Sequence, residues 1–163
     1  MGILRRSNRG ATLMEAMIAV LLLSMCMLAY AALQMRGLAA NTSSMWRSKA
    51  ALLAYEMADR MRANMAGVNA GNYNNLTVAS PMTACGTVAA CTPAQMSQLD
   101  FWIWNTAVGR ELPNAIGVVC LDSTPDDGTV AAPACDGAGT TFAVKLLWQE
   151  RGEDSRLSVA VRP

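Results

Sequence analysis

One carboxylate, Glu15, lies inside a run of apolar residues long enough to cross a membrane. Between Ala11 and Met35 it is the only ionisable side chain apart from one thiol and one phenol. A charged side chain near the centre of a membrane helix costs about 2.5 to 3.5 kcal/mol. A carboxylate in hydrocarbon is stable only when it is protonated or paired with a cation. The sequence therefore predicts that Glu15 has a cationic partner at the same depth.

The apolar run itself predicts a membrane helix. Residues from Ala11 to Met35 would extend about 37 Å as an α-helix, and the hydrocarbon core of a membrane is about 30 Å thick. Arg5, Arg6 and Arg9 precede the run, and basic residues favour the cytoplasmic side. The rest of the chain is therefore expected on the opposite side of the membrane.

Three simpler interpretations of the apolar run are a secretory signal peptide, a lipoprotein signal and a plain membrane anchor. A secretory signal peptide has a basic start too, and residues 29–31 followed by Ala32 fit its cleavage pattern. Glu15 and the length of the run argue against it. A lipoprotein cleavage site before Cys26 is disfavoured because Met25 is too large for the preceding position. A plain membrane anchor, with Glu15 at the interface, is the simplest alternative.

The composition narrows the function classes. The chain has 163 residues, a formal net charge of +1 and no histidine, so the commonest general base and metal ligand are missing. No nucleophile and base form a recognisable constellation, and the near-neutral charge gives no footprint for nucleic acid. We expect one domain with an anchor, no enzymatic activity, no cofactor and no nucleic-acid partner.

Four cysteines lie beyond the apolar run, where export would place them in an oxidising space. They are Cys85, Cys91, Cys120 and Cys135, and sequence alone allows three pairings. Pairing of Cys85 with Cys91 and of Cys120 with Cys135 is favoured because each closes a local loop. Cys26 lies in the apolar run and is expected to stay free. A zinc site is a weak alternative, since there is no histidine and no C-x-x-C spacing, so no metal is expected.

The helix is predicted to continue beyond the apolar run. No proline lies between Arg36 and Gly67, and a single helix of about 56 residues is the natural interpretation. Gly37 is its expected weak point, where the membrane half passes into the half that packs on the globular body. Apolar residues mark one face of the second half, and they are Trp46, Leu53, Met57, Met61 and Met65. The charged run "YEMADRMRAN" is expected to form a solvated face.

A loop and a short second helix are predicted next. Residues 69–81 are rich in Asn, Gly and Ser, which is typical of a loop. Thr92, Pro93 and Gln95 form the cap and first turn of a helix that should run to about Val108. This helix is expected to bury Met96, Leu99 and part of the aromatic segment 101–104.

The last part of the chain predicts three strands. Ala115–Leu121, Thr140–Gln149 and Ser155–Val161 are rich in β-branched and apolar residues, and the last two alternate with period two. The "ERGEDS" link suits a hairpin. A small antiparallel sheet with one apolar face could cover the helix, which gives an α+β fold of one long helix against one sheet.

The segment "GATLME", residues 10–15, resembles the prepilin signature of type IV pilins and pseudopilins. The resemblance implies cleavage after Gly10, methylation of the new amino terminus at Ala11, and an assembly role for Glu15. The ammonium of Ala11, in this chain or in an adjacent subunit, would be the cation that Glu15 requires. It also implies the type IV pilin fold, a long amino-terminal helix on a small antiparallel sheet with a short extra helix.

Later segments, "MADRMRAN", "CTPAQ", "LPNAIGVVC" and "VKLLW", resemble PilV-type minor pilins of the type IV pilus. The resemblance implies a cytoplasmic leader at residues 1–10, a transmembrane assembly helix at 11–36 and a periplasmic globular domain at 37–163. It implies a subunit that initiates the pilus or forms part of its tip. A pseudopilin of type II secretion and a pilus-displayed adhesin remain the alternative functions.

The same resemblance implies a location and a set of partners. The unassembled chain would sit in the inner membrane as a single-pass protein, with a cytoplasmic amino terminus and a periplasmic body, and would later reach the pilus at the cell surface. Its partners would be other minor pilins, the major pilin, the prepilin peptidase that is also a methyltransferase, and the inner-membrane assembly platform.

Overall fold

The computed structural model describes residues 12–81, 85 and 91–162. The elements within these residues are α1 (Leu13–Ala63), α2 (Met65–Asn69), α3 (Pro93–Glu111), β1 (Ile116–Leu121), β2 (Phe142–Glu150) and β3 (Glu153–Val161). The chain divides into two compact units, Met1–Thr42 and Ser43–Pro163, and α1 contributes to both. The predicted α+β fold, a long amino-terminal helix, a small antiparallel sheet and a short extra helix, is confirmed.

The first unit contains the beginning of α1. All residues from Thr12 to Leu38 are exposed, and the helix passes through Gly37 without a break. Thr12 caps its first turn by accepting a hydrogen bond from the backbone N–H of Glu15 at 3.3 Å. Nothing in the described part of this unit buries the apolar side chains of the helix.

In the second unit, α1 packs through one buried face. Leu53, Met57 and Met61 are buried as expected, and alanines at positions 50, 54 and 58 alternate with them. Trp46 is partly buried against the same core. The prediction that Met65 continues this face is wrong: Met65 lies in α2 and is 38% exposed. The face stops at Met61 because α1 ends two residues later.

Asn64 ends α1 and caps α2, so the predicted single helix to Gly67 is too long. Its backbone leaves the helical region, with φ −115° and ψ 56°, and its side chain accepts a hydrogen bond from the Gly67 N–H at 3.2 Å. The Asn64 amide also donates to the carbonyl of Pro93 at 2.8 Å. A Cβ on Gly67 would lie 2.5 Å from that amide nitrogen, so a larger residue would displace the Asn64 amide from its hydrogen bonds.

The short second helix, α3, begins at the predicted capping box and extends to Glu111, three residues beyond the prediction. It buries Phe101, Trp104 and Val108. The expected burial of Met96 is wrong, since Met96 is 37% exposed, and Leu99 is only partly buried. The buried face is shifted by one residue along the helix, so it includes the polar residues Ser97 and Asp100 instead.

Trp104 joins three elements of the core. Its indole Nε1 donates to the carbonyl of Leu53 in α1 at 2.7 Å. On its other side, a Cβ added to Gly117 of β1 would lie 2.4 Å from the indole ring. The absence of a side chain at Gly117 therefore lets α3 approach the sheet closely.

The sheet has the order β1-β2-β3 and is antiparallel throughout. The predicted inward positions are confirmed, because they all contact the core; they are Phe142, Val144, Leu146, Trp148, Leu157, Val159 and Val161. β3 begins two residues before the prediction, since Glu150 pairs directly with Glu153. Arg151 and Gly152 both have positive φ, 55° and 85°, as two-residue hairpin turns require.

Candidate functional site

The assembly candidate Glu15 lies in the first turn of α1. Its side chain is exposed, and no ion pair to it exists within residues 12–81, 85 and 91–162. A carboxylate in the first turn is favoured by the positive end of the helix dipole. Gly10 and Ala11 lie outside the described residues, so cleavage, methylation and the pairing of Glu15 with an amine stay predictions.

The surface around Glu15 is apolar on all sides of α1. The exposed large apolar residues in this part of the helix are Leu13, Met14, Met17, Ile18, Val20, Leu21, Leu22, Leu23, Met25, Met27, Leu28, Tyr30, Leu33, Met35 and Leu38. By length and composition α1 can cross a membrane, and its most apolar stretch has no buried residue. A helix that is apolar all round is typical of a membrane span or of the core of a large protein.

Two disulfides join the four cysteines of the second unit. Cys85 pairs with Cys91 at a Cα–Cα distance of 5.2 Å, and Cys120 pairs with Cys135 at 6.1 Å. These are the pairings that the sequence favours. Cys26 is free and exposed on α1. Cys120 and Cys135 lie close to the Asp122 carboxylate, but the disulfide occupies both sulfurs, so this group does not fit a metal ion.

A buried lysine attaches the loop closed by the Cys120–Cys135 disulfide to the outer face of the sheet. Lys145 of β2 is 1% exposed and forms ion pairs with Asp122 and, at 2.6 Å, with Asp127. Its ammonium also donates to the carbonyls of Pro133 at 3.3 Å and Ala134 at 3.0 Å. The Asp127 carbonyl accepts a further hydrogen bond at 3.4 Å, so five acceptor groups of one loop converge on a single cation.

The electrostatics of this lysine favour the charged form. Burial alone would lower the pKa of Lys145, but its hydrogen bonds to Asp122 and Asp127 outweigh burial and raise it. In return, the hydrogen bond from Lys145 lowers the pKa of the Asp127 carboxyl. Lys145 and Asp127 are consequently both charged at neutral pH, and their ion pair helps to hold the loop in place.

A second polar cluster connects α1 to α3. The Tyr73 hydroxyl donates to the Asp100 carboxylate at 2.6 Å, and the Arg60 guanidinium donates to the other oxygen of Asp100 at 3.3 Å. Arg60 also pairs with Glu56 at 2.8 Å. Burial, and then the hydrogen bond to Asp100, raise the pKa of Tyr73 well above its ordinary value. The expectation of a purely solvated charged face is therefore wrong at Arg60, which is half-buried.

Sequence reasoning missed both polar clusters. Lys145 alternates with apolar residues in β2, and the acidic loop segment "PDDG" by itself indicates only a turn. A lysine among the apolar residues of a strand, together with an acidic loop closed by a disulfide, could have indicated a buried ion pair. Tyr73 lies in an Asn-rich loop, and no local pattern indicates that it is fully buried.

Comparison with known families gives one match. The model of the Tt1218-like family, described as type IV pilin Tt1218, matches residues 32–102, which is slightly less than half of the chain. The match does not include residues 10–15, so it is independent of the prepilin-like motif. Comparisons with curated proteins and with solved structures gave no match. Together with the long amino-terminal helix and the three-stranded antiparallel sheet, the family match supports placing this chain among the type IV pilins.

Proposed function

We propose that this chain is a minor pilin of the PilV type, which takes part in the initiation or the tip assembly of a type IV pilus. The observation that supports the proposal most strongly is the contrast between the two units of the chain. An exposed apolar helix with one carboxylate in its first turn precedes a unit that has its own core and disulfides. Such a helix needs apolar partners from outside the chain, and a filament of pilins provides them.

Processing would supply the counter-ion of Glu15. A prepilin peptidase cleaves after Gly10 on the cytoplasmic face and methylates the amine of Ala11. The resulting ammonium lies at the membrane edge, where a low dielectric strengthens its attraction to a carboxylate. Glu15 has no ion-pair partner in the described part of its own chain. We propose pairing with the amine of an adjacent subunit, because such a pair would link two subunits. This pairing sets the register of the incoming subunit.

The proposed location follows from the same steps. Before assembly the chain is a single-pass protein of the inner membrane, with residues 1–10 in the cytoplasm and the globular domain in the periplasm. The two disulfides of the second unit are compatible with that oxidising compartment. Its partners are other minor pilins, the major pilin and the assembly platform, and the chain itself performs no catalysis.

The test replaces Glu15→Gln in cells, which keeps the size of the side chain and removes its charge. Loss of a buried charge pair is worth about 3 to 5 kcal/mol, so incorporation into sheared pili should fall at least about tenfold. Ser24→Ala is the matched control, since it changes another exposed polar side chain of α1. The amount of membrane-bound protein should stay the same in both variants.

Two results would contradict the proposal. One is normal piliation and normal incorporation of the Glu15→Gln chain. The other is co-purification of the unmodified chain with type II secretion components instead of pilins. Normal unfolding of the second unit in the variant excludes misfolding as the cause of a loss.

A further inference from the structure

The two edge strands of the sheet, β1 and β3, differ in how their outward backbone groups are hydrogen-bonded. At the outer edge of β1, the N–H of Val119 donates to the carbonyl of Leu76, and the N–H of Leu76 donates back to Val119, at 3.1 and 2.8 Å. The neighbouring N–H groups of Gly117 and Leu121 donate to the side chains of Asn105 and Asn74, at 2.9 and 2.8 Å. The outward N–H groups of these three β1 residues are therefore all occupied.

The outer edge of β3 has no such cover. In antiparallel strands, the backbone groups of successive residues bond alternately to one neighbour and to the other. The backbone groups of Gly117, Val119 and Leu121 face away from β2. By the register of the sheet, four residues of β3 therefore direct their backbone groups away from β2; they are Asp154, Arg156, Ser158 and Ala160. Within the described residues, no group outside β2 bonds to the backbone of β3. The strand contains no proline, and its pairing with β2 is regular over all nine residues. Two usual protections of an edge strand, proline and a bulge, are missing, and the charged residues of β3, Glu153, Asp154 and Arg156, all lie in its first four positions.

A basic cleft lies at the end of this open edge. It has a volume of about 650 Å³, and Ala160 and Arg162 line it from β3 and the residue after it, together with Arg62 of α1. Asp122 also lines the cleft, but its carboxylate pairs with Lys145 and is fully buried. Among the described residues, no aromatic side chain lines the cleft.

The two guanidinium groups keep donors for an acid. Arg62 uses Nη1 for an ion pair with Asp59 at 2.6 Å, and Arg162 uses Nε for a hydrogen bond to Thr141 at 3.2 Å. Their other N–H groups have no partner among the residues that the structure describes. Arginine is well suited to bind a carboxylate through two parallel hydrogen bonds.

We propose that β3 and this cleft form a docking site for an extended segment of a different protein chain, which adds a fourth strand to the sheet and places a carboxylate between Arg62 and Arg162. The backbone of Arg156, Ser158 and Ala160 supplies the pairing groups. Strand addition of this kind takes its affinity from backbone hydrogen bonds and its specificity from side-chain sites. The acid of the incoming segment is the side chain that this site selects.

A second copy of this chain is a poorer occupant. Two copies joined through the same edge are related by a two-fold axis and pair antiparallel. That rotation makes the two α1 segments that pack on the sheets run in opposite directions. This step rests on the proposed function, under which both helices enter one membrane from the same side. Helices that run in opposite directions cannot do so, and a different chain therefore fits the edge better.

The test uses the full chain in detergent micelles and a labelled peptide probe, a short alternating Thr and Val sequence with one central Glu. Ala160→Pro removes an outward N–H without disturbing the bonds to β2, as edge positions allow. It should weaken binding of the probe about fivefold, whereas Ser158→Ala, which keeps its N–H, should change nothing. Arg162→Gln should weaken the Glu probe about threefold and leave a probe with Gln at the same place unaffected.

Three outcomes would overturn the proposal. The first is no saturable binding of the Glu probe to the unmodified chain. The second is binding that Arg162→Gln weakens and Ala160→Pro does not, which would indicate an anion cleft only. The third is a dimer of the free chain that Ala160→Pro dissociates, which would assign the edge to a second copy. None of these results changes the expected effect of Glu15→Gln on piliation, so the two proposals fail separately.

Discussion

The first part of α1, residues 13–42, and its second part, residues 43–63, both carry many apolar residues but differ in burial. From Leu13 to Thr42 no residue is buried, whereas between Ser43 and Ala63 six residues are buried against the rest of the second unit. The second part therefore obtains its stability within the chain. The first part has no packing partner among the described residues, and under the proposed function a membrane or other subunits supply one.

Charge is handled differently in the same two regions. Lys145 is buried in the sheet and contacts two carboxylates and three loop carbonyls from its own chain. Glu15 is exposed, and the described residues provide no cation for it. Removing one partner of a buried ion pair destabilises a fold, whereas under the proposed function the charge of Glu15 serves assembly.

The largest expected effect is at the internal charge cluster. Lys145→Met leaves the Asp122 carboxylate buried without a cation, which should reduce the free energy of unfolding by about 3 to 5 kcal/mol. The matched control is Lys49→Met, because Lys49 pairs with Glu111 at 2.7 Å on the surface, and its loss should cost less than about 1 kcal/mol. Urea unfolding in micelles, followed by tryptophan fluorescence, measures both. All four tryptophans lie in the second unit, so the signal reports on that unit alone. Equal effects of the two variants would contradict the role of Lys145.

A matched pair of methionines sharpens the comparison along one helix. Met57 is fully buried, whereas Met25 is 60% exposed. Met57→Ala should destabilise the second unit by about 2 to 5 kcal/mol through lost burial and a cavity. Met25→Ala should change the same unfolding transition by less than about 0.5 kcal/mol. A substantial shift from Met25→Ala would mean that the two regions are coupled more closely than their burial indicates.

The smallest effect is a pH dependence at Tyr73. Its pKa is raised in the folded chain by burial and by the hydrogen bond to Asp100, so its stabilising contribution is complete below about pH 10 and is lost as the pH rises further. Above about pH 10 the unmodified chain should lose stability more steeply than Tyr73→Phe, by at most about 1.4 kcal/mol per pH unit. Urea unfolding at several alkaline pH values gives both slopes. Identical slopes would show that Tyr73 ionises normally in the folded state.

Periodic patterns made much of the fold predictable. The alternation in β2 and β3 identified the inward residues, and the sequence around Thr92 located the start of α3. These signals are local, because the period of a strand and the cap of a helix depend on a few neighbouring residues. Local loops also favoured the disulfide pairs that the structure contains.

The remaining features depend on contacts between distant segments. The end of α1 at Ala63 follows from the bonds of Asn64 to Tyr73 and Pro93, which no local pattern reveals. The burial of Asp100 and Lys145 depends likewise on partners far along the chain. Of the candidate site, the helix that carries Glu15 was predictable from composition, but the amine of Ala11, its proposed cation, lies outside the described residues.

The central claim is that cleavage after Gly10 creates the amine that Glu15 requires. The intact mass of the membrane-bound chain tests it most directly. We expect a chain that starts at Ala11 and carries one additional methyl group. A chain with residues 1–10 still attached, or one that starts at Ala32, would contradict the account.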